Sequence, residues 1–288
     1  MTILLDGGMG QELRRRGLNA DAKVAGLALL ESPTVVRDVH QEYIAAGAEV
    51  ITTWNYAVTP QRLAHSGLSD RLGEMTRVAV EMANKARGDR AGVRVAGSLP
   101  PLRASYEPNT QDIIAMAAEY AEIAEHLAPG IDLFICETMS SAGEAVAAAS
   151  AAAIYGKPIW VSLTLRDEGD GLLRSGETVE AALAALDGIP VEAILFNCCD
   201  TGAITYALPH LRTRTDLTIG AYANAFTPIP KDWKRDGVRL RDLRDLTPVE
   251  YAQVVDQWLS MGAEIVGGCC GIGPAHIAYL RQALDQSD

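Results

Sequence analysis

Short apolar runs rich in β-branched residues recur along this chain, and each is followed by a longer segment with helical periodicity. No other feature restricts the fold as strongly. The runs that read as strands are residues 3–6, 49–54, 93–98, 133–137, 159–165, 193–198, 218–222 and 264–268. Amphipathic stretches separate them, among them 33–46, 70–87, 110–127, 142–155, 178–186 and 248–261. Ser32-Pro33 and Thr247-Pro248 each set a hydroxyl cap before a proline at the first helical position. Gly47 and Gly262 fall where a helix C-cap belongs, just before the next strand. Strands that alternate with helices pair in parallel through right-handed crossovers. The pattern therefore predicts the α/β class, and a single domain over residues 1–288 built as a (β/α)8 TIM barrel. Such barrels use about 250 residues, so little sequence is left over. The rival that shares the pattern is an open doubly wound sheet.

Composition narrows the function. Lys and Arg total 25 against 37 Asp and Glu, a net charge of -12. That field repels a nucleic-acid duplex and an anionic membrane, so neither is expected as a partner. Hydrophobic residues make up 48%, enough to bury a large core. The Arg14-Arg15-Arg16 run follows a short apolar stretch and two glycines, the wrong order for a secretory leader. It reads as a solvated helix face. The most apolar segment, 145–155, stops before Lys157 and is far shorter than the roughly 20 residues of a bilayer span. A cytoplasmic protein is expected. Residues 224–242, rich in Pro, Lys, Arg and Asp, read as a long surface loop over the barrel mouth, where substrate contacts are made.

In barrels of this kind the chemistry sits at the C-terminal ends of the strands. Those ends carry Asp6-Gly7-Gly8, then Thr52-Thr53-Trp54-Asn55-Tyr56, Gly97-Ser98, Cys136-Glu137-Thr138, Asn197-Cys198-Cys199-Asp200 and Gly267-Gly268-Cys269-Cys270-Gly271. The five cysteines form a poor disulfide framework, because their number is odd and four stand in adjacent pairs. Zn2+ takes thiolates in tetrahedral geometry, and a catalytic site keeps one position open. Cys269 and Cys270 cannot both face inward from a regular strand. The glycines around them are expected to free the backbone to turn. A free cysteine is also a small, well-buried hydrophobe, and Cys136, inside an apolar strand, reads that way. The span 267–273, followed by Pro274 and a helix, also has the form of a phosphate cradle, but it brings no Lys or Arg. Asp6 and Glu137 can hold an ammonium group, act as acid and base, or cap a loop. Trp54 and Tyr56 either face a cation through their rings or pack under a loop. His40, His65, His126, His210 and His276 lack metal-ligand spacing and are expected in structural or surface roles.

Four segments resemble the homocysteine S-methyltransferase family: LLDGGMGQEL at 4–13, ETMSSAGEA at 137–145, Asn197-Cys198, and GGCCG at 267–271. Their order and separations match over essentially the whole chain. The resemblance implies a zinc-bearing (β/α)8 barrel that methylates homocysteine to methionine. It implies Cys198, Cys269 and Cys270 as metal ligands and catalytic groups. It also implies Asp6 and Glu137 as the carboxylates that hold the amino-acid acceptor. Ser98, Asn197, Trp54 and Tyr56 complete the expected substrate side. Cys199 is an additional neighbour that competes with Cys198 for the metal. Leu195 stands where the family has glycine, and 54–56 and 97–101 depart from its usual patterns.

The implied partners are a small thiol and a cationic methyl donor, with the oligomeric state open. A sulfonium donor, S-methylmethionine or S-adenosylmethionine, is favoured, since the chain lacks the long C-terminal extension of the betaine-using branch. Alternatives are a betaine-like donor, another small thiol acceptor, a barrel that binds zinc or thiols without turnover, or an aldolase-like phosphate-binding barrel.

Overall fold

A computed structural model describes residues 2–18, 25–225 and 246–286. Its strands are β1 (Ile3–Leu4), β2 (Val50–Thr52), β3 (Arg94–Leu99), β4 (Leu133–Met139), β5 (Ile159–Leu163), β6 (Ala193–Asn197), β7 (Thr218–Tyr222) and β8 (Ile265–Val266). The helices are α1 (Met9–Arg15), α2 (Ala28–Glu31), α3 (Pro33–Ala45), α4 (Pro60–His65), α5 (Leu72–Arg87) and α6 (Ile113–Leu127). The second half adds α7 (Ala142–Ala153), α8 (Val179–Ala185), α9 (Thr201–Arg212), α10 (Pro248–Ser260) and α11 (Pro274–Asp285). The eight strands form one parallel sheet in the order β1-β8-β7-β6-β5-β4-β3-β2. A parallel bridge between Leu5 and Val50 joins its two ends and closes the ring. The fold is a (β/α)8 barrel.

Alternation along the strands divides the apolar side chains into two layers. Leu5, Val50, Leu133, Trp160, Leu195 and Ile265 fill the barrel interior. Their sequence neighbours, such as Leu4, Ile51, Phe134 and Ile194, face outward into the larger layer beneath the helices. Trp160 sits low in the barrel, with the Arg94 guanidinium 5.1 Å from its ring centre. The interior is thus packed from below, and the strand ends above it are free to carry chemistry.

Helix boundaries follow their local signals with one exception. Thr247 forms a complete capping box with Glu250. Gly47 and Gly262 close their helices at φ +103 and +94. Ser32 makes no side-chain cap bond. It is the last link of α2, its N–H bonded to the Ala28 carbonyl at 3.0 Å, and α3 starts directly behind it. Arg14 and Arg15 are exposed, while Arg16 is half-buried and ion-paired to Glu12 and Glu42. Of the stretch read as a mouth loop, Asn224 and Ala225 are described; 226–245 lie outside the described residues. Among the described residues, no helix is long and apolar enough to cross a membrane.

His40 on α3 is fully buried, and neither ring nitrogen has a hydrogen-bond partner among the described residues. Burial holds its pKa down to about 4 against an ordinary 6.5. The imidazole is therefore neutral in the fold, while the unfolded chain protonates it below pH 6.5. Its contribution to stability is intact above that pH and is lost progressively as the pH falls to about 4. The loss amounts to about 3 kcal/mol, at 1.36 kcal/mol per pH unit. Urea unfolding of metal-free protein will show this acid sensitivity reduced in His40→Leu. Equal pH slopes in the two proteins contradict the assignment.

Candidate metal centre and acceptor pocket

Three sulfurs meet at the barrel mouth. The Sγ atoms of Cys198, Cys269 and Cys270 all lie within 4.8 Å of one another. Regular alternation would have sent Cys198 outward, because Asn197 before it points in. The strand instead ends at Asn197, and Cys198 takes φ +55, in the left-handed region. That single twist turns its sulfur to the rim. Cys199 then falls in the outer apolar layer and is fully buried. Burial pushes its thiol well up, as it does that of Cys136. The geometry therefore groups Cys198, not Cys199, with the other two.

On the opposite side of the cluster, β8 stops at Val266 and the chain turns through 267–271. Gly267 and Gly268 serve here by size rather than by freedom of φ. A Cβ on Gly268 would come within 2.1 Å of Ile272, and one on Gly267 within 2.4 Å of Leu5. Gly271 is the residue that uses a left-handed backbone, at φ +87. Backbone bonds from Cys269 N to Ala223 O (2.9 Å) and from Ala225 N to Cys270 O (2.8 Å) tie the turn to the end of β7.

The sulfurs suit a cation. Hydrogen bonds from Cys269 and Cys270 hold the Cys198 thiol well below its ordinary pKa, and bonds to Cys198 and Cys270 push the Cys269 thiol up. Three cysteine sulfurs gathered within 4.8 Å of one another are the donor set that tetrahedral Zn2+ takes. The residues present fit a zinc site of three cysteines with one open position.

Two buried carboxylates flank the cluster. Asp6, 5% exposed, accepts Thr52 N at 2.8 Å and Thr52 Oγ1 at 3.3 Å. Glu137 accepts the hydroxyl of Ser98. Burial raises Asp6 to about 8, and the charge of Glu137 adds to the rise. Burial raises Glu137 to about 7, against the lowering effect of Ser98. Two carboxyl groups kept from their ordinary ionisation mainly by burial, with Glu137 adding to the rise of Asp6 and Cys198 to that of Glu137, make a site that a small cation relieves.

The remaining sequence-level candidates divide. Ser98 acts on Glu137 directly. Trp54 is half-buried, and its indole Nε1 has no partner among the described residues. Asn197, expected on the acceptor side, commits its amide inward: Oδ1 accepts Thr138 N (2.9 Å) and Ser162 Oγ (2.8 Å), and Nδ2 donates to Thr138 Oγ1 (2.9 Å). It steadies Thr138, which sits at φ +61 directly after Glu137. Tyr56, expected to face a cationic ligand, already has the Arg62 guanidinium 5.2 Å from its ring centre and its hydroxyl 2.7 Å from Ser105 Oγ.

Sequence reasoning placed Thr52 at a strand end and Asn224 in the mouth loop but gave neither a role, and it passed over Tyr106 and Tyr222. Tyr222 was reachable, because alternation from Gly220 turns it into the barrel, where its buried hydroxyl has no partner among the described residues. Tyr106 lies in an irregular segment, where no periodicity points.

A closed parallel barrel with three clustered cysteine sulfurs and two buried carboxyl groups at its mouth has the parts of a barrel enzyme that works on a small thiol. Residues 3–284 match the pattern of the homocysteine S-methyltransferase family, and the chain belongs to that family. It is a methyltransferase. Homocysteine S-methyltransferase of Escherichia coli (strain K12) is 34% identical over 97% of this chain and 94% of its own length. Selenocysteine methyltransferase of Astragalus bisulcatus is 27% identical over 98% and 92%. Among solved structures, the metallated form of the homocysteine methyltransferase MmuM from Escherichia coli superposes with a TM-score of 0.83, at 31% identity, covering 98% of this chain and 96% of that one.

Proposed function

We propose that the chain, acting as one homocysteine-binding barrel domain, moves a methyl group from a sulfonium donor to the thiol of homocysteine, giving methionine. Zinc is held by Cys198, Cys269 and Cys270. The observation that carries this reading is the cluster of those sulfurs beside the buried pair Asp6 and Glu137. The Escherichia coli relative has been solved in a metallated form, which supports a bound metal in this family member.

Zn2+ bound there deprotonates a coordinating thiol at neutral pH while leaving its sulfur reactive. The protein's own groups do the rest. Asp6 and Glu137 bind the acceptor's ammonium and so aim its sulfur at the open position. Thr52 and Ser98 hold the two carboxylates in place. The new S–CH3 bond forms as the donor's C–S bond breaks, and the electron pair leaves with a neutral thioether. No acid is needed for that departure. A thioether is a better leaving group than an amine, which favours a sulfonium over a betaine-like donor. Positioning of this kind supplies up to roughly 7–11 kcal/mol of a barrier.

The deciding experiment is a donor panel on zinc-loaded protein, with metal content measured alongside. S-methylmethionine, S-adenosylmethionine and betaine are each offered with homocysteine, cysteine and selenocysteine. Methionine formed from a sulfonium donor is the expected result. Zinc binding without turnover on any pair overturns the proposal in favour of a ligand-binding barrel.

The carboxylates add a pH dependence. An ammonium binds the ionised form, and burial holds Asp6 up at about 8 and Glu137 at about 7. Acceptor KM is therefore expected to fall as the pH rises from about 6 to about 8, by up to tenfold per unit where a carboxyl is still protonated. It should level off above that range. Removal of one carboxyl in Glu137→Gln should make the slope shallower, and an identical slope excludes Glu137 from the effect.

A further inference from the structure

The rim also carries a tyrosine for which methyl transfer as described has no use. Tyr106 stands between β3 and α6 at φ +70, a backbone that a tyrosine adopts only where its surroundings hold it. Its hydroxyl lies 3.1 Å from Cys198 Sγ. Asn224, just beyond β7, donates from Nδ2 to the Tyr106 oxygen at 3.5 Å. A metal-bound thiolate can only accept, so with a metal in place the hydroxyl hydrogen points to the sulfur.

The ring is held as firmly as its tip. The Arg174 guanidinium sits 4.8 Å from the ring centre. Arg174 pairs with Asp167 at 3.0 Å, and their side chains are 8% and 3% exposed. Asp167 Oδ1 also accepts the backbone N–H of Asp200 at 2.8 Å. One carboxylate thus anchors both the cation over Tyr106 and the turn that carries Cys198.

We infer that Tyr106 is a positioning residue that directs the methyl group to the acceptor sulfur and away from the enzyme's own ligand Cys198. The inference rests on the zinc-thiolate reading above. In a site of three cysteinates and one substrate thiolate, every sulfur is a nucleophile toward a methyl donor. Attack by Cys198 would form S–CH3 on the protein, release the same neutral thioether, and remove a metal ligand. A hydrogen bond to a thiolate draws on the lone pair that such an attack needs. Cys198 carries one from Tyr106, whereas the acceptor sulfur enters from the open side of the cluster.

Tyr106→Phe keeps the ring under Arg174 and removes the hydroxyl. Zinc-loaded parent and variant are treated with iodoacetamide, and the alkylated cysteines are mapped by peptide mass spectrometry. In that reaction the sulfur–carbon bond forms as iodide leaves with the C–I pair. Alkylation of Cys198 is expected to rise about tenfold, the factor one charge-assisted hydrogen bond carries, with Cys269 and Cys270 unchanged. In Co2+-loaded protein the sulfur-to-metal charge-transfer band should move to lower energy. Asn224→Leu, which leaves the hydroxyl but not its donor, should move both readouts in the same direction by less. Equal alkylation rates and an unmoved band overturn the inference. So does a Tyr106→Phe protein that loses its metal while the parent keeps it, because the hydroxyl then serves retention. A parent that binds neither zinc nor cobalt removes the metal reading itself.

Discussion

A Cys269→Ser variant is expected to lose bound zinc and methyl transfer together. Serine keeps the size of the side chain but offers a hydroxyl that stays protonated at neutral pH, so the cluster drops from three thiolates to two. The turn itself should survive, because its backbone bonds to Ala223 and Ala225 do not involve the sulfur. Even loss of a group that merely orients a metal ligand costs about 10–100-fold in metal affinity or activity, and loss of a ligand costs more. Turnover should therefore fall by more than about 100-fold. The readouts are metal content by mass spectrometry and methionine formation, with circular dichroism to confirm the fold. Full zinc with normal activity would falsify the metal assignment.

Replacement of Glu137 by glutamine is expected to raise acceptor KM by about 30-fold or more while kcat changes far less. The side chain keeps its length and a partner for Ser98, so the barrel mouth should hold its shape. What disappears is the charge that faces the acceptor's ammonium. Truncating one side of a buried, hydrogen-bonded charge pair costs about 2–5 kcal/mol, and the lower figure already corresponds to about 30-fold. An interaction equal in ground and transition states appears in KM rather than kcat. An unchanged KM removes Glu137 from acceptor binding. A fall confined to kcat assigns it to the chemical step instead.

Much of this molecule was readable before any coordinates. The strand at 218–222 coincides with the observed β7, and the other strands differ from their expected ends by a few residues. Those differences have causes. β1 and β8 are short because the irregular 6–8 segment and the 267–271 turn leave the ladder early. β4 runs on to Met139, past an irregularity between Cys136 and Met139 where Thr138 turns left-handed. β6 ends one residue before Cys198 for the same kind of reason. Irregularities of this sort occur at the site because a functional side chain must leave the strict in-out alternation.

The βα period and the chemistry of its strand ends were therefore properties of the sequence alone. Apolar periodicity is a local signal, and it is strong where both faces of a strand are buried. Cysteine and carboxylate residue types also declare their chemistry without neighbours. The choice of Cys198 over Cys199 was not local. It depends on a left-handed backbone at Cys198, sustained by the ends of β6 and β7 and by contacts from Tyr106 and Thr164 far away in the chain. The commitment of Asn197 to Thr138 and Ser162, the Arg62 cation already over Tyr56, and the Asp167–Arg174–Tyr106 support have the same origin. Most of these contacts join residues tens of positions apart. Arg62–Tyr56 and Asp167–Arg174 are local, six and seven positions apart; for the others no short window along the chain contains both partners, so closure of the barrel had to bring them together.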